Sequence, residues 1–503
     1  MDDRLQFALV IGRAGVEAGG ANAFAYFHVE DESSFSLVDS KATAPGARKG
    51  VSGFSRGRGT PRVGGPGGRG GGGGGRWGNQ GTRGRRGGAS MGRGGWRDWE
   101  KVNRSRESSV PIQPDWTMLE EIDFPRLSKL RLEVDLEEPK TVGTFGQVFA
   151  YDRTFDRITP KTERPLQILD RVRYNTTTSD DPIIQDLASK GTAKAYATDT
   201  ILSWLMCCTR SVYPWDVIIT HEGGKVFFDK RDGGPFDFIT VNENAADPPM
   251  ETDKEKDSIN SPGSLSLEAT FIDQHFSFQA VDEKNSIKFN RPNPFTSPED
   301  REPLASCGYR YRIFDLGIDE DDDFTIAVRT QVEAFLPAAT PKGPAQLVTL
   351  RSLNEFDSKA PGSGGAPEWR AKLDTQRGAV VATEMKNNGF KLSKYAVQSV
   401  LAGADVVKIG YVSRVNPREN SRHATLTTAT MRPSDFIAQL TVSVSNGWGI
   451  VRMITDKILK MPEGRYLLIK DPNKAIIRLY SIPATAFMGE EEADIPEEDE
   501  AAE

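Results

Sequence analysis

The sequence predicts an α+β protein built on a single large mixed or antiparallel sheet, with tails at both ends that are predicted to be disordered. Three observations carry this. Strand-like and helix-like patterns follow one another irregularly between residues 111 and 485, which argues against a regular βαβ array. Between Arg171 and Arg231 the order helix, helix, strand, turn, strand follows from capping and turn residues alone. Charge is segregated toward the ends. From Lys41 to Arg97 there are thirteen basic residues and no acid, whereas the last fourteen residues, EEEADIPEEDEAAE, contain nine acids. Like-charge blocks of this kind behave as solvated tails.

Each segment has a local reason. Residues 1–43 show weak periodicity, and within them AYFHVEDESSFSLVD (Ala25 to Asp39) alternates aromatic and acidic residues, as a peptide-like docking element does. Residues 44–98 repeat Arg-Gly, with a glycine run from Gly70 to Gly75 and Trp77 and Trp96 among arginines. Such a tract cannot offset the entropy of folding. It suits sequence-tolerant RNA contact through phosphate attraction and stacking, or it is a solvated linker. In the core, Asp181 before Pro182 predicts an N-cap with proline at the first helical position, and Gly191 closes that helix. Thr198 or Asp199 caps a second helix through Cys208. Trp215 to Thr220 and Val226 to Asp229 are strands around a turn at His221 to Gly224.

Further strands are expected at Leu265 to Phe271, Tyr309 to Leu316, Phe324 to Thr330, Leu347 to Leu353, Ala379 to Glu384, Val406 to Val415 and His423 to Met431. Leu392, Tyr395, Ala396, Ser399 and Val400 recur at helical spacing and stop near Gly403. Ser434 or Asp435 is expected to cap a long helix reaching Met461, and Asp471 to Lys474 turns between two last strands.

Composition excludes several classes. No apolar run approaches the ~18 residues of a membrane span, and the N-terminus lacks a basic-then-apolar signal pattern. Three cysteines cannot build a disulfide framework, so a reducing, cytoplasmic setting is expected. His28, His221, His275 and His423 are scattered, no His or Cys sits at zinc spacing, and no nucleotide-cradling loop occurs, so no cofactor is expected. Cys207 and Cys208 read as packing residues of the second helix. One enzymatic pattern stands out. Glu355-Phe356-Asp357 and Glu384-Met385-Lys386 give the carboxylates and lysine of a metal-dependent nuclease, if Glu384 ends a strand. The alternative is a Glu384–Lys386 salt bridge or a contact to RNA backbone, and the Glu355 segment reads as a loop. Arg310, Arg312, Lys408 and Arg414 lie on candidate strands, facing a phosphate channel or plain solvent.

The strings TTTSDDPII, YATDTILSWLMCCTRSVYPWD, KVFFDKRD, FNRPNPF, GYRYRIF, LDTQRGAVVATEMKNN, KIGYVSR and YLLIKDPNKAIIRLYSIP resemble, in order, those of the D subunits of eukaryotic translation initiation factor three. The resemblance covers residues 100 to 485 and the AYFHVEDESSF string, before which the family carries a longer segment and through which it docks onto its complex. It implies a cup-like core similar to the decapping exonuclease fold and no catalysis. It implies capped mRNA, sister subunits of the factor and the 40S ribosomal subunit as partners.

By the same resemblance, Asp199, Val212, Tyr213, Thr270, Asp273 and Gln274 stand at cap-contacting positions, although relatives often carry Asn and His at the last two. A methylated guanine is cationic, so its pocket needs stacking walls, an acceptor for the N–H edge and basic groups for phosphates. Asp199 has an alternative as a helix cap, and Tyr213 and Trp215 as core. Pro235-Phe236-Asp237-Phe238-Ile239-Thr240-Val241-Asn242-Glu243-Asn244-Ala245-Ala246-Asp247-Pro248-Pro249 resembles the family's RNA gate, a loop covering the RNA path. Its acids Asp237, Glu243 and Asp247 would repel phosphate. The alternative is an ordinary surface loop. The domain reading is therefore 1–43 docking segment, 44–98 Arg-Gly tract, 111–485 cap-binding core and 486–503 acidic tail.

Overall fold

In the computed structural model, residues 106–487 are described, except 135, 250–257, 298, 320 and 339–342. The docking segment, the Arg-Gly tract and the acidic tail beyond 487 lie outside the described residues. In chain order the strands are β1 (Thr117–Asp123), β2 (Lys140–Tyr151), β3 (Arg164–Pro165), β4 (Ala195–Thr198), β5 (Asp216–Glu222), β6 (Lys225–Asp229), β7 (Val281–Lys288) and β8 (Cys307–Asp315). They continue as β9 (Thr325–Val332), β10 (Ala334–Leu336), β11 (Gln346–Glu355), β12 (Val406–Asn416), β13 (Glu419–Met431), β14 (Gly464–Lys470) and β15 (Ile476–Ile482). The helices are α1 (Phe124–Leu127), α2 (Pro182–Ser189), α3 (Asp199–Met206), α4 (Pro262–Gln279), α5 (Trp369–Lys372), α6 (Arg377–Asn387), α7 (Gly389–Ala402), α8 (Pro433–Gln439) and α9 (Val444–Leu459).

All these strands join one sheet in the order β1-β15-β14-β5-β6-β4-β9-β8-β2-β10-β11-β12-β13-β3, with β7 also paired to β2. Most pairs are antiparallel, but β4 runs parallel to both β6 and β9, β10 runs parallel to β2, and β11 runs parallel to β12. The expected α+β class with a mixed sheet is therefore what forms. Hairpins account for five antiparallel pairs, β5–β6, β8–β9, β10–β11, β12–β13 and β14–β15. The parallel β11–β12 pair arises where α5, α6 and α7 carry the chain back.

Helices α3, α7 and α9 pack together over one face of the sheet. Trp204 and Leu205, Phe390 and Val397, and Trp448 and Ile454 meet Val217, Ile219, Leu468 and Leu479 in one buried cluster. Each such side chain contributes about 1.5–3 kcal/mol on burial. This cluster fixes α3 and α7, the two helices whose ends carry the site. Among the described residues no helix is long and apolar enough to cross a membrane.

Several expectations hold in detail. The Asp181 carboxylate accepts the N–H groups of Ile183 (2.9 Å) and Ile184 (3.2 Å), Pro182 opens α2, and Gly191 follows at φ +63°. Gly223 and Gly224 form the hairpin turn at φ +56° and +67°, so His221 and Glu222 belong to β5 instead of to the turn. Gly403 closes α7 at φ +60°.

Three expectations are corrected. Leu265 to Phe271 is not a strand but part of α4. Ser261 accepts the Ser264 N–H (3.2 Å), Pro262 starts the helix, and Leu265, Ala269, Ile272 and Phe276 are buried at helical spacing. Ala379 to Glu384 is likewise helical, in α6, where Val380, Glu384 and Asn387 face inward. In both cases a short apolar run suggested a strand, and the burial period decided otherwise. The long helix expected from Ser434 to Met461 is two helices. Thr441 adopts φ 51°, and Ser443 recaps the chain by accepting the Asn446 N–H at 3.1 Å.

Candidate nucleic-acid interface

The site is assembled at the first turn of α3. Thr198 supplies the cap, its hydroxyl accepting the Ile201 N–H at 3.4 Å. That leaves the Asp199 carboxylate for another partner, and it accepts the Gln331 N–H of β9 at 2.9 Å. Asp199 is only 2% exposed, and burial pushes its carboxyl up to about 6. On α4, Asp273 accepts both the N–H (2.6 Å) and the hydroxyl (3.1 Å) of Ser352 in β11. Burial raises its pKa as well.

Between these carboxylates lies an ion group that the sequence did not announce. Glu333 accepts from Arg351 (2.7 Å), from Arg173 (3.0 Å) and from the Leu350 N–H (3.0 Å). The Arg351 charge acts on both Asp199 and Asp273, lowering their pKa values against the burial effect. The two aspartates, 74 positions apart in the chain, thus share one buried electrostatic network. A signal existed: Glu333 in TQVEAFL, between β9 and β10, and Arg351 in LVTLRSL of β11 are charges set in largely uncharged stretches, and buried charges require partners.

Val212 and Tyr213 occupy the loop between α3 and β5, 8% and 5% exposed. Their N–H groups both donate to the same Glu243 oxygen, at 2.8 and 3.0 Å. Thr270 of α4 accepts the Ile239 N–H at 2.9 Å, and Ser266 donates to the Ile239 carbonyl at 3.0 Å. Segment 235–249 therefore links the α3–β5 loop to α4, touching Val212, Tyr213 and Thr270. Gln274 is half-buried, and its backbone carbonyl accepts the Ser277 hydroxyl (2.7 Å).

That segment is pinned along its length. Phe236 packs on Trp204 at 4.1 Å between ring centroids. Asp237 pairs with Lys230 (2.9 Å) and accepts from Asn175 (2.8 Å) and from the Gly233 N–H (2.8 Å). Asn242 and Asn388 exchange hydrogen bonds of 2.9 Å each, and Asn388 also donates to Glu384 at 2.8 Å. Asn244 donates its N–H to the Asn387 carbonyl (3.0 Å) and accepts the Phe390 N–H (2.8 Å). A Cβ on Gly364 would lie 2.3 Å from the Asn387 amide and 2.9 Å from Ala245, so only glycine lets this loop close against the cover. Asp237 and Glu243 are buried and turned inward, whereas Asp247 is exposed. Asp237 and Glu243 are thus committed to partners inside the protein, Glu243 accepting the Val212 and Tyr213 N–H groups, while Asp247 alone of the three meets solvent.

Beneath the cover, α7 presents Lys391 and Lys394, 3% and 9% exposed. Lys394 Nζ stands 3.4 Å from the centroid of the Trp204 ring. Burial lowers both amines to about 8, opposed in each by the Glu243 charge.

Other sequence candidates go elsewhere. Arg310 donates to the Ala402 carbonyl, Arg312 to the Leu401 carbonyl (2.6 Å), Lys408 to Asp156 (2.7 Å) and Arg414 to Glu268 (2.8 Å), so each has a partner within the protein, and of the four only Arg310 is half-buried rather than buried. Glu355 ends β11 instead of lying in a loop, and it accepts the Trp369 N–H at 2.7 Å. Asp357 accepts the Lys359 N–H at 2.9 Å within a turn. Glu384 is helical and buried, held by Asn388, while Lys386 on the same helix is exposed. The strand-borne Glu-x-Lys geometry and the Glu384–Lys386 salt bridge are both replaced by this arrangement. Burial raises Glu355 and Glu384 each to about 7; in Glu384 the Lys391 charge opposes burial and the Glu355 charge adds to it. Among the described residues no group of three or more His, Cys, Asp or Glu is arranged to hold a metal ion. Cys207 and Cys208 are buried, as expected, and burial pushes the Cys207 thiol up to about 12.

Comparison with known proteins agrees with the motifs. The family model for Eukaryotic translation initiation factor 3 subunit 7 (eIF-3) matches residues 8–481. The D subunit of eukaryotic translation initiation factor 3 from Mycosarcoma maydis is 53% identical over 513 residues, covering 97% of this chain and 86% of that protein. The D subunit from Schizosaccharomyces pombe is 48% identical over 481 residues, covering 93% and 84%. Among solved structures, Candida albicans Rai1 in complex with pU5-Mn2+ gives a TM-score of 0.43 at 10% identity, over 74% of this chain and 94% of that one. S. pombe Rai1 gives 0.38 at 11% identity, over 73% and 100%. Likenesses this distant say nothing of activity. With a family model spanning nearly the whole length and half of all positions shared with the fungal proteins, the chain belongs to the family of eukaryotic translation initiation factor 3 D subunits.

Proposed function

We propose that this protein is a non-enzymatic, cytoplasmic subunit of the initiation factor 3 complex that binds the 5′ cap of a subset of mRNAs. In this reading it works together with sister subunits and the 40S ribosomal subunit. One observation supports it above the others: a single segment, 235–249, sits on pocket candidates from separate parts of the chain, at Val212 and Tyr213 through Glu243 and at Thr270 through Ile239. A cover that contacts those positions by hydrogen bonds of its own is what a gated pocket requires. The acceptor for the guanine N–H edge is Asp199 or Asp273, Tyr213 is the stacking wall, and Lys391, Lys394 and Arg351 supply positive charge beneath the cover.

The gate works here by substitution, not by repulsion. Opening it would free two N–H groups at Val212 and Tyr213 and leave the charges of Lys391 and Lys394 without Glu243. Ultraviolet crosslinking of the full chain to capped and uncapped RNA tests the assignment. Asp199→Gln with Tyr213→Ala should abolish the cap-dependent signal while circular dichroism stays unchanged. Loss of one charge-assisted hydrogen bond corresponds to about 1.5–3 kcal/mol, a tenfold or greater drop in affinity. Undiminished cap crosslinking in the folded double variant sinks the reading.

A further inference from the structure

The first described residues of the chain return to the pocket. Arg106, only 4% exposed, places its guanidinium carbon 5.4 Å from the centroid of the Tyr213 ring. The same guanidinium donates to the Val212 carbonyl at 2.6 Å and to the Pro472 carbonyl at 3.2 Å. Its backbone is clamped by Asn473, which accepts the Arg106 N–H (2.8 Å) and donates to the Arg106 carbonyl (3.1 Å). Tyr213 itself is 5% exposed, so no ligand can stack on it until something leaves. Glu243 bonds the backbone at this turn, and Arg106 is a group that stands over the ring.

A planar cation over an aromatic face is what a methylated guanine would also be. We infer that Arg106 is a built-in competitor for the Tyr213 face, a plug separate from the gate, which a cationic base must displace together with the stem around it. This inference rests on the cap-pocket reading. The arrangement is poised for release because two cations meet at one acceptor: Lys470 also donates to the Val212 carbonyl, at 2.7 Å. Burial, and after it the nearby Arg106 charge, lowers the Lys470 amine to about 7. Departure of Arg106 removes that repulsion.

The test measures 7-methylguanosine triphosphate and unmethylated guanosine triphosphate binding to the full chain by calorimetry. Arg106→Ala should tighten the methylated ligand about three- to tenfold, the span of an exposed to partly desolvated cation–π contact, and should change the unmethylated one much less. Asn473→Ala, which frees the stem while keeping the guanidinium, should act in the same direction. Hydrogen exchange should rise at the Arg106 and Asn473 amides when the methylated ligand binds wild type. If Tyr213→Ala abolishes binding but neither Arg106→Ala nor Asn473→Ala tightens it, Arg106 is only a structural anchor and the inference falls while the pocket stands. If Tyr213→Ala changes nothing, the pocket reading and the inference fall together.

Discussion

Asp199 shows how one residue separates a local role from a functional one. Capping by Thr198 leaves its carboxylate free to turn toward β9, where burial raises its pKa to about 6. Two consequences have opposite signs. As an acceptor for a cationic base it must be ionised, so binding of capped RNA should fade as pH drops through about 6, and Asp199→Asn should flatten that limb of the profile. For stability, a folded pKa raised above the unfolded value favours the protonated form. That contribution is present below about 4 and is lost as pH rises through about 6. Thermal melts between pH 4 and 7 should therefore show a fall toward neutrality that is smaller in Asp199→Asn. A profile identical in both proteins would mean that Asp199 does not titrate in this range.

At the scale of elements, segment 235–249 behaves as a latched part and not as a free loop. Its acidic, proline-containing composition suggested a surface insertion, but Glu243 bonds the α3–β5 loop and Asn242 and Asn244 bond the α6–α7 junction. The Asn242–Asn388 exchange is the central catch, and Glu384 orients Asn388. Asn388→Ala should leave the global fold in place while hydrogen exchange at Asn242 to Asn244 accelerates, by the equivalent of about 1–3 kcal/mol for a buried pair left unsatisfied. Deleting 235–249 should raise capped-RNA binding by the isolated chain. Equal binding with and without the segment would reduce it to structural packing. The same catch explains why Glu384 is tied up: its hydrogen bond goes to Asn388, on a helix. With magnesium or manganese the chain should not degrade capped, uncapped or 5′-monophosphate RNA. Turnover that disappears in Glu384→Ala would restore the nuclease reading.

For the whole molecule, charge segregation sets the behaviour. The thirteen cations between Lys41 and Arg97 should contribute RNA affinity without cap preference, because phosphate contacts position but do not specify. Removing residues 44–98 should weaken binding to all RNAs alike and flatten the dependence on salt, by about one unit of slope for each phosphate no longer neutralised. On the proposed function, cap preference belongs to the core and should survive the deletion. A deletion that instead erased cap preference at constant salt slope would move recognition out of the core.

The sequence by itself determined the family, the α+β class, the cap ahead of Pro182, the turns at Gly223-Gly224 and Gly403, and most strands, and it left the next cap to Thr198 or Asp199. These depend on local chemistry: a capping oxygen, a missing Cβ, a period of two. It misassigned Leu265 to Phe271 and Ala379 to Glu384, because a short apolar run serves a helix or a strand equally well until neighbours select the buried face. It named Asp199 and Asp273 by resemblance but could not show Arg173, Glu333 and Arg351 between them, since partners distant in the chain leave no local mark beyond a charge in a largely uncharged stretch. The inward turn of Glu243 and the seat of Arg106 on Tyr213 were likewise decided only by tertiary structure. Each depends on which groups packing leaves without water, and so on which charges must find a partner.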